Sequence, residues 1–110
     1  MSISATMGSS SSLSGMQAAA NGAHATASNI ANAATPGHDR LATRAISLFG
    51  GGVSASVAPS GAPTSPETSN VDIAGEMLDL ASTEIAFRAN AAVFETGAEL
   101  WDILKLVVRD

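Results

Sequence analysis

The chain has no cysteine and no tyrosine, and its aromatic side chains number three Phe and one Trp in 110 residues. Without cysteine, disulfides and thiolate metal sites are excluded. With so few large apolar groups, a chain of this length has little to bury in a core of its own. Its elements must therefore find partners in other chains. No Lys, Arg, Asp or Glu occurs from Met1 to His38, and an uncharged helix costs little to desolvate among neighbours. No apolar run is long enough to span a bilayer. The N-terminus lacks the basic region and apolar core of a cleavable secretory signal. A formal net charge of −5 argues against binding nucleic acid through its phosphates.

Alanine, serine and glycine fill the chain instead. Met1 to Ser12 is small, polar and Ser-rich, and a frayed start is expected over Ile3–Ser12. From there Leu13, Met16, Ala20, Ala23, Ala27 and Ile30 follow at alternating steps of three and four, the period of a coiled-coil seam. Gly15 and Gly22 each weaken this first helix by roughly 1 kcal/mol relative to Ala. Thr35 precedes Pro36 and is pushed out of the α region, so the helix is expected to end near Ala34. Pro36 and Gly37 suit the central positions of a type II turn. Asn29 and Asn32 lie three apart just before the break. Two roles are open to them: bonding the unpaired terminal carbonyls, or reaching a neighbouring chain.

Leu41–Phe49 and Val53–Val57 flank Gly50-Gly51-Gly52 and read as a β-hairpin. Arg40 and Arg44 are solvated strand-edge charges or salt-bridge partners for acidic helices of adjacent subunits. Pro59, Pro63 and Pro66 mark an extended connector from Pro59 to Ser69. Ser69 with Asp72 resembles a capping box, with Asn70 the competing cap. The second helix is predicted from Val71 to about Val108. Its seam runs Ile73, Met77, Leu80, Glu84, Phe87, Ala91, Phe94, Ala98, Trp101, Lys105 and Val108, with Glu84 and Lys105 breaking the apolar rule. Glu84 can pair with Arg88 four residues on. Leu78, Ala81, Ile85 and Ala92 form a second apolar face, widened at the end by Leu100, Ile103, Leu104 and Val107. Two apolar faces require two sets of neighbours.

Two separate stretches carry a family likeness. Leu13-Ser14-Gly15-Met16-Gln17-Ala18-Ala19, Ser28-Asn29-Ile30-Ala31-Asn32-Ala33 and Thr35-Pro36-Gly37 resemble the N-terminal signature of the bacterial flagellar axial family, the rod and hook proteins. Ser69-Asn70-Val71-Asp72-Ile73-Ala74-Gly75-Glu76-Met77 and Ala86-Phe87-Arg88-Ala89-Asn90-Ala91 resemble its C-terminal helix. His38 stands where the family commonly has an aromatic residue, and Phe87 where it commonly has tyrosine. The resemblance implies a mainly α fold: two long terminal helices pairing as a coiled coil, with a short β-hairpin-like insert and a Pro-rich connector. Residues 1–37 would form the N-terminal helical segment, 38–69 the insert and connector, and 70–110 the C-terminal helix.

The function implied is a structural subunit of the flagellar rod, of proximal-rod type because the middle segment is short. Such subunits polymerise helically, transmit torque and line the export channel. The partners implied are other rod subunits in a homo- or hetero-polymer, the flagellar export apparatus and the basal-body ring. The location implied is the basal-body rod in the periplasmic space, reached by type III export without signal cleavage. The interface residues expected are Leu13, Met16, Asn29, Ile30, Asn32, Pro36, Gly37, Leu80, Phe87, Asn90, Phe94 and Trp101. A small secreted helical-hairpin protein acting as a soluble dimer is the alternative. An enzyme is not expected: Asp72, Glu76 and Asp79 read as a solvated or salt-bridging stripe with no nucleophile or base beside them. No cofactor is expected either, and His24 and His38 are too few for a metal site.

Overall fold

The computed structural model describes residues 2–109, so Met1 and Asp110, the ends of the predicted segments, lie outside it. Among the described residues the order is helix α1 (Ser2–Ala31), strand β1 (Leu41–Ser47), strand β2 (Val53–Pro59) and helix α2 (Ile73–Arg109). The helices pack against each other as an antiparallel pair and the hairpin lies along α1, giving a slab of 70 × 24 × 13 Å. The mainly α architecture with a two-stranded insert is the one expected.

α1 starts at Ser2, so the stretch expected to fray is helical. Ser12 and Ser14 return their hydroxyls to the carbonyls of Ser9 and Ser11, at 2.9 and 2.8 Å. Such back-bonding satisfies a serine within a helix. The helix ends at Ala31, three residues before the expected stop. Asn32 N–H is shared between the carbonyls of Ser28 and Asn29, and Ala33 N–H bonds Ile30 O. The last turn thus tightens to i−3 bonds before the proline is reached. The turn itself is as predicted. His38 N–H bonds Thr35 O at 3.2 Å, and Gly37 has φ +74°, the conformation a type II turn requires at that position.

The hairpin pairs Leu41 with Pro59 through to Ser47 with Val53. β1 is shorter than predicted, because Leu48 already belongs to a glycine loop whose three φ values are 92°, 108° and 90°. β2 runs two residues further, through a proline. The register explains how: Ser60 N–H bonds Arg40 O at 2.8 Å, so the next pair, Leu41 with Pro59, is a non-hydrogen-bonded one. The missing N–H of Pro59 faces away from β1 and costs the ladder nothing.

The face of α1 that meets α2 is not the predicted seam. Ser12, Ala19, Thr26 and Asn29 are buried, with Gly22 between them. The predicted positions Leu13, Ala20, Ala23, Ala27 and Ile30 each lie one residue, or 100°, further round. An ideal Cβ on Gly15 would stand 2.5 Å from Asn90 Oδ1, and one on Gly22 3.1 Å from Thr83 Cγ2. The same seven-residue step leads to Asn29 and Glu76, both buried. Close approach of the two backbones selects small residues along this line. On α2 the line Glu76, Thr83, Asn90 replaces the predicted positions Met77, Glu84 and Ala91. Glu84 and Lys105 no longer break a rule, since neither faces α1. Glu84 pairs with Arg88 at 2.8 Å on the surface, as expected, and Lys105 Nζ stands 5.8 Å over the Trp101 ring.

Candidate assembly surface

A knot of polar contacts sits where the two helices and the hairpin meet. Asn29 has no exposed surface. Its Nδ2 donates to Leu41 O at 2.9 Å, and its Oδ1 accepts Leu41 N–H at 2.7 Å. These are the outward backbone groups of a non-hydrogen-bonded pair, so the amide takes the place of a third strand. Asn29 thus serves neither of the two roles open to it in the sequence. Asn32 does bond a helix-terminal carbonyl: its Nδ2 donates to Ser28 O at 2.9 Å.

Neither predicted cap acts as one. Ser69 Oγ donates to Ala33 O, at the exit of α1. Asn70 Oδ1 accepts Arg40 N–H at 2.6 Å, and its Nδ2 donates to Asp39 Oδ1 at 2.9 Å. Asp72 is the residue whose carbonyl accepts Glu76 N–H and opens α2. Arg40 is expected from the sequence to be a solvated strand-edge charge or a salt-bridge partner for an acidic helix of an adjacent subunit. Its Nε instead donates to its own chain's Glu76 Oε1 at 2.7 Å, and Nη2 approaches Asp79 at 3.7 Å. Glu76 is only 2% exposed, and its Oε2 is buried without a partner among the described residues.

Asp39 fastens the base of the hairpin. The Ser60 hydroxyl, then the Asn70 amide and Gly61 N–H, hold its carboxyl below the usual aspartate range. A depressed folded value means that its contribution is present above about pH 4, where an unfolded aspartate ionises, and is lost as pH falls through the lower folded value. Protection of the Gly61 amide from hydrogen exchange is expected to fall on that acid side. Asp39→Asn should abolish the pH dependence; an unchanged profile would show that another group governs it.

The knot holds the chain together around very little apolar burial. Among the described residues the buried hydrophobic side chains are Ala19 and Ala25. Leu80, Phe87, Phe94 and Trp101 lie along the edge of the helix pair and stay 37–43% exposed. Leu13 is exposed, and Met16 and Ile30 are half-buried. Pro36 is exposed in the turn beside Gly37. Asn90 lies on the inner face across from Gly15, its Nδ2 returned to Ala86 O at 2.8 Å. The residues expected at the interface therefore divide. Asn29, Asn32 and Asn90 make contacts within the chain, while the large apolar ones remain open. Ala20 and Ala23 of α1 and Leu80 and Phe87 of α2 converge on one groove of about 490 Å³, with His24, Glu84 and Arg88 on its rim. Arg40, Glu76, Asp39 and Asn70 were missed as one unit. The spacing Glu76, Thr83, Asn90 was the available signal for the first step.

Residues 65–105 match the family model described as "Flagellar basal body rod FlgEFG protein C-terminal". The chain is also 47% identical over 38 residues to the flagellar hook protein FlgE of Brucella suis biovar 1 (strain 1330). That stretch is 34% of this chain and 10% of that protein. The matched family region carries Glu76, Leu80, Asn90 and the three large aromatic side chains of α2.

Proposed function

We propose, starting from a chain whose C-terminal segment belongs to the flagellar rod and hook family, that it is a structural subunit of the rod. Its terminal helices pack against those of neighbouring subunits, transmit torque and line the export channel. It acts without catalysis or cofactor, is exported through the flagellar apparatus without signal cleavage, and resides in the basal body. The observation that carries this reading is the mismatch between helix length and core. α2 alone has 37 residues, about 55 Å, yet among the described residues the buried apolar side chains are two alanines. Full burial of a Leu or Phe is worth about 1.5–3 kcal/mol, and that gain is only partly realised at Leu80, Phe87, Phe94 and Trp101, which stay 37–43% exposed. The insert between the helices is one short hairpin, which favours a rod over a hook subunit with large outer domains.

The purified subunit at low concentration is therefore expected to show much less helix by circular dichroism than two paired helices require. The same chain should be found in purified basal bodies. A highly helical monomer that melts cooperatively, or a discrete helical dimer by gel filtration, would overturn the polymer reading.

Gly37→Val is expected to block assembly. A β-branched residue at φ +74° is strained by about 1–3 kcal/mol, and the strain recurs in every copy. Normal motility of a strain carrying only this variant would show that the turn tolerates a side chain.

A further inference from the structure

We infer that the outward face of the hairpin in one copy docks on the outward face of α2 in the next copy, Arg44 lying against Glu95, Glu99 and Asp102. This rests on the assembly reading above and names the two surfaces that meet.

The hairpin has two unlike faces. Side chains alternate along a strand, so Arg44 and Ile46 share one face with Ser56 and Ser54, their register partners. Val53 and Ala55, on the other side of β2, are half-buried. Val53 N–H bonds Ser14 Oγ of α1 at 3.0 Å, which seats the hairpin on that helix. Arg44 and Ile46 are exposed, and so are Leu48 and Phe49 at the tip, Phe49 fully. Arg44 is the one charged residue between Leu41 and Pro59. Among the described residues it makes no ion pair.

α2 carries the complement. At 100° per residue, Glu95, Glu99 and Asp102 project to the side opposite Asn90 and Gly97, the side turned away from α1. Ile103 and Leu106 stand on that same side, and all five are exposed. None of the three acids has an ion-pair partner among the described residues. One surface is thus a lone cation beside apolar groups, and the other is three anions beside apolar groups. Their lengths agree: Arg44 to Leu48 spans about 13 Å of strand, and Glu99 to Leu106 about 10 Å of helix.

The two faces cannot meet within one chain. The hairpin tip reaches Ser14, and the interhelical register puts Ile103 about 20 Å beyond the level of Ile46. A contact between two different patches is heterologous, and its repetition builds a ring where the rotation closes and an open helical polymer where it does not, in either case more than a two-fold dimer.

The chain has no cysteine, which makes introduced thiols unambiguous. The full chain carrying Ile46→Cys and Ile103→Cys, mildly oxidised under assembly conditions, is expected to give a ladder of covalent multimers. Neither single variant should cross-link. Adding Arg44→Glu should reduce the ladder at least tenfold, and adding Glu99→Arg to that should restore it. These substitutions are at exposed positions, and matching circular dichroism spectra would confirm that each variant keeps the fold of its parent. Sedimenting polymer without a ladder would overturn this contact and leave the assembly reading standing. A chain that never sediments as polymer would overturn both. Dimers from a single variant, a ladder indifferent to Arg44→Glu, or an adduct with a different protein would each refute the pairing of these two faces.

Discussion

Phe94→Ala is expected to give a subunit that is secreted at the parental level yet missing from basal bodies. Phe87, Phe94 and Trp101 recur every seven residues along the edge of the helix pair, where each remains 37–43% exposed. With so few aromatic residues in the chain, no other side chain can supply the missing bulk. Truncating a fully buried Phe costs roughly 3–5 kcal/mol, and the uncovered part of this one is proposed to be buried only on assembly. The isolated subunit should therefore change little. Comparing culture supernatant with purified basal bodies separates the two stages. Normal incorporation would remove the edge from the assembly surface. Loss of secretion would mean that Phe94 acts before assembly.

The second large effect is expected within the subunit. Arg40→Ala leaves Glu76, 2% exposed, with neither of its oxygens paired. Removing one partner of a buried ion pair costs 3–5 kcal/mol. Arg40 is itself 31% exposed, so about 3 kcal/mol is the appropriate figure. Glu76→Gln should be far milder, because Arg40 keeps access to water and to Asp79, 3.7 Å away. Hydrogen exchange at the amides of Gly37, Leu41 and Asn70 reads this directly, since each is bonded within the knot. Equal effects of the two substitutions would show that Glu76 is less isolated than its burial indicates.

The elements, their order, the turn and the hairpin were legible because each has a local cause. Pro36 and Gly37 fix their own backbone, and three glycines open a loop wherever they stand. The inner face was not legible, because size misled. A sequence reading follows the largest apolar residues, here Leu13, Met16 and Ile30. Two backbones that approach closely follow the smallest, and Gly15, Gly22 and Ala19 won the inner line. The misfit of Glu84 and Lys105 on the predicted seam already pointed to the one-residue offset. The polar knot was out of reach for another reason. Asn70 meets Arg40 across 30 residues and Arg40 meets Glu76 across 36, and no local pattern announces a partner at that distance.

The position of the knot also sets an order of folding. Asn29 reaches Leu41 across only 12 residues, so its loop closes at modest entropic cost. Once Ser69 is fastened to Ala33, Thr83 is brought close to Gly22, and then Asn90 to Gly15. Each later contact adds one short closure to those before it, whereas forming it first would have required the whole intervening chain to loop. The register therefore lets the pair close stepwise from the Asn29–Leu41 end towards its termini, each step a short closure once the one before it is made. On this order the termini close last and reopen first, which leaves them the part of the helix pair most readily rearranged.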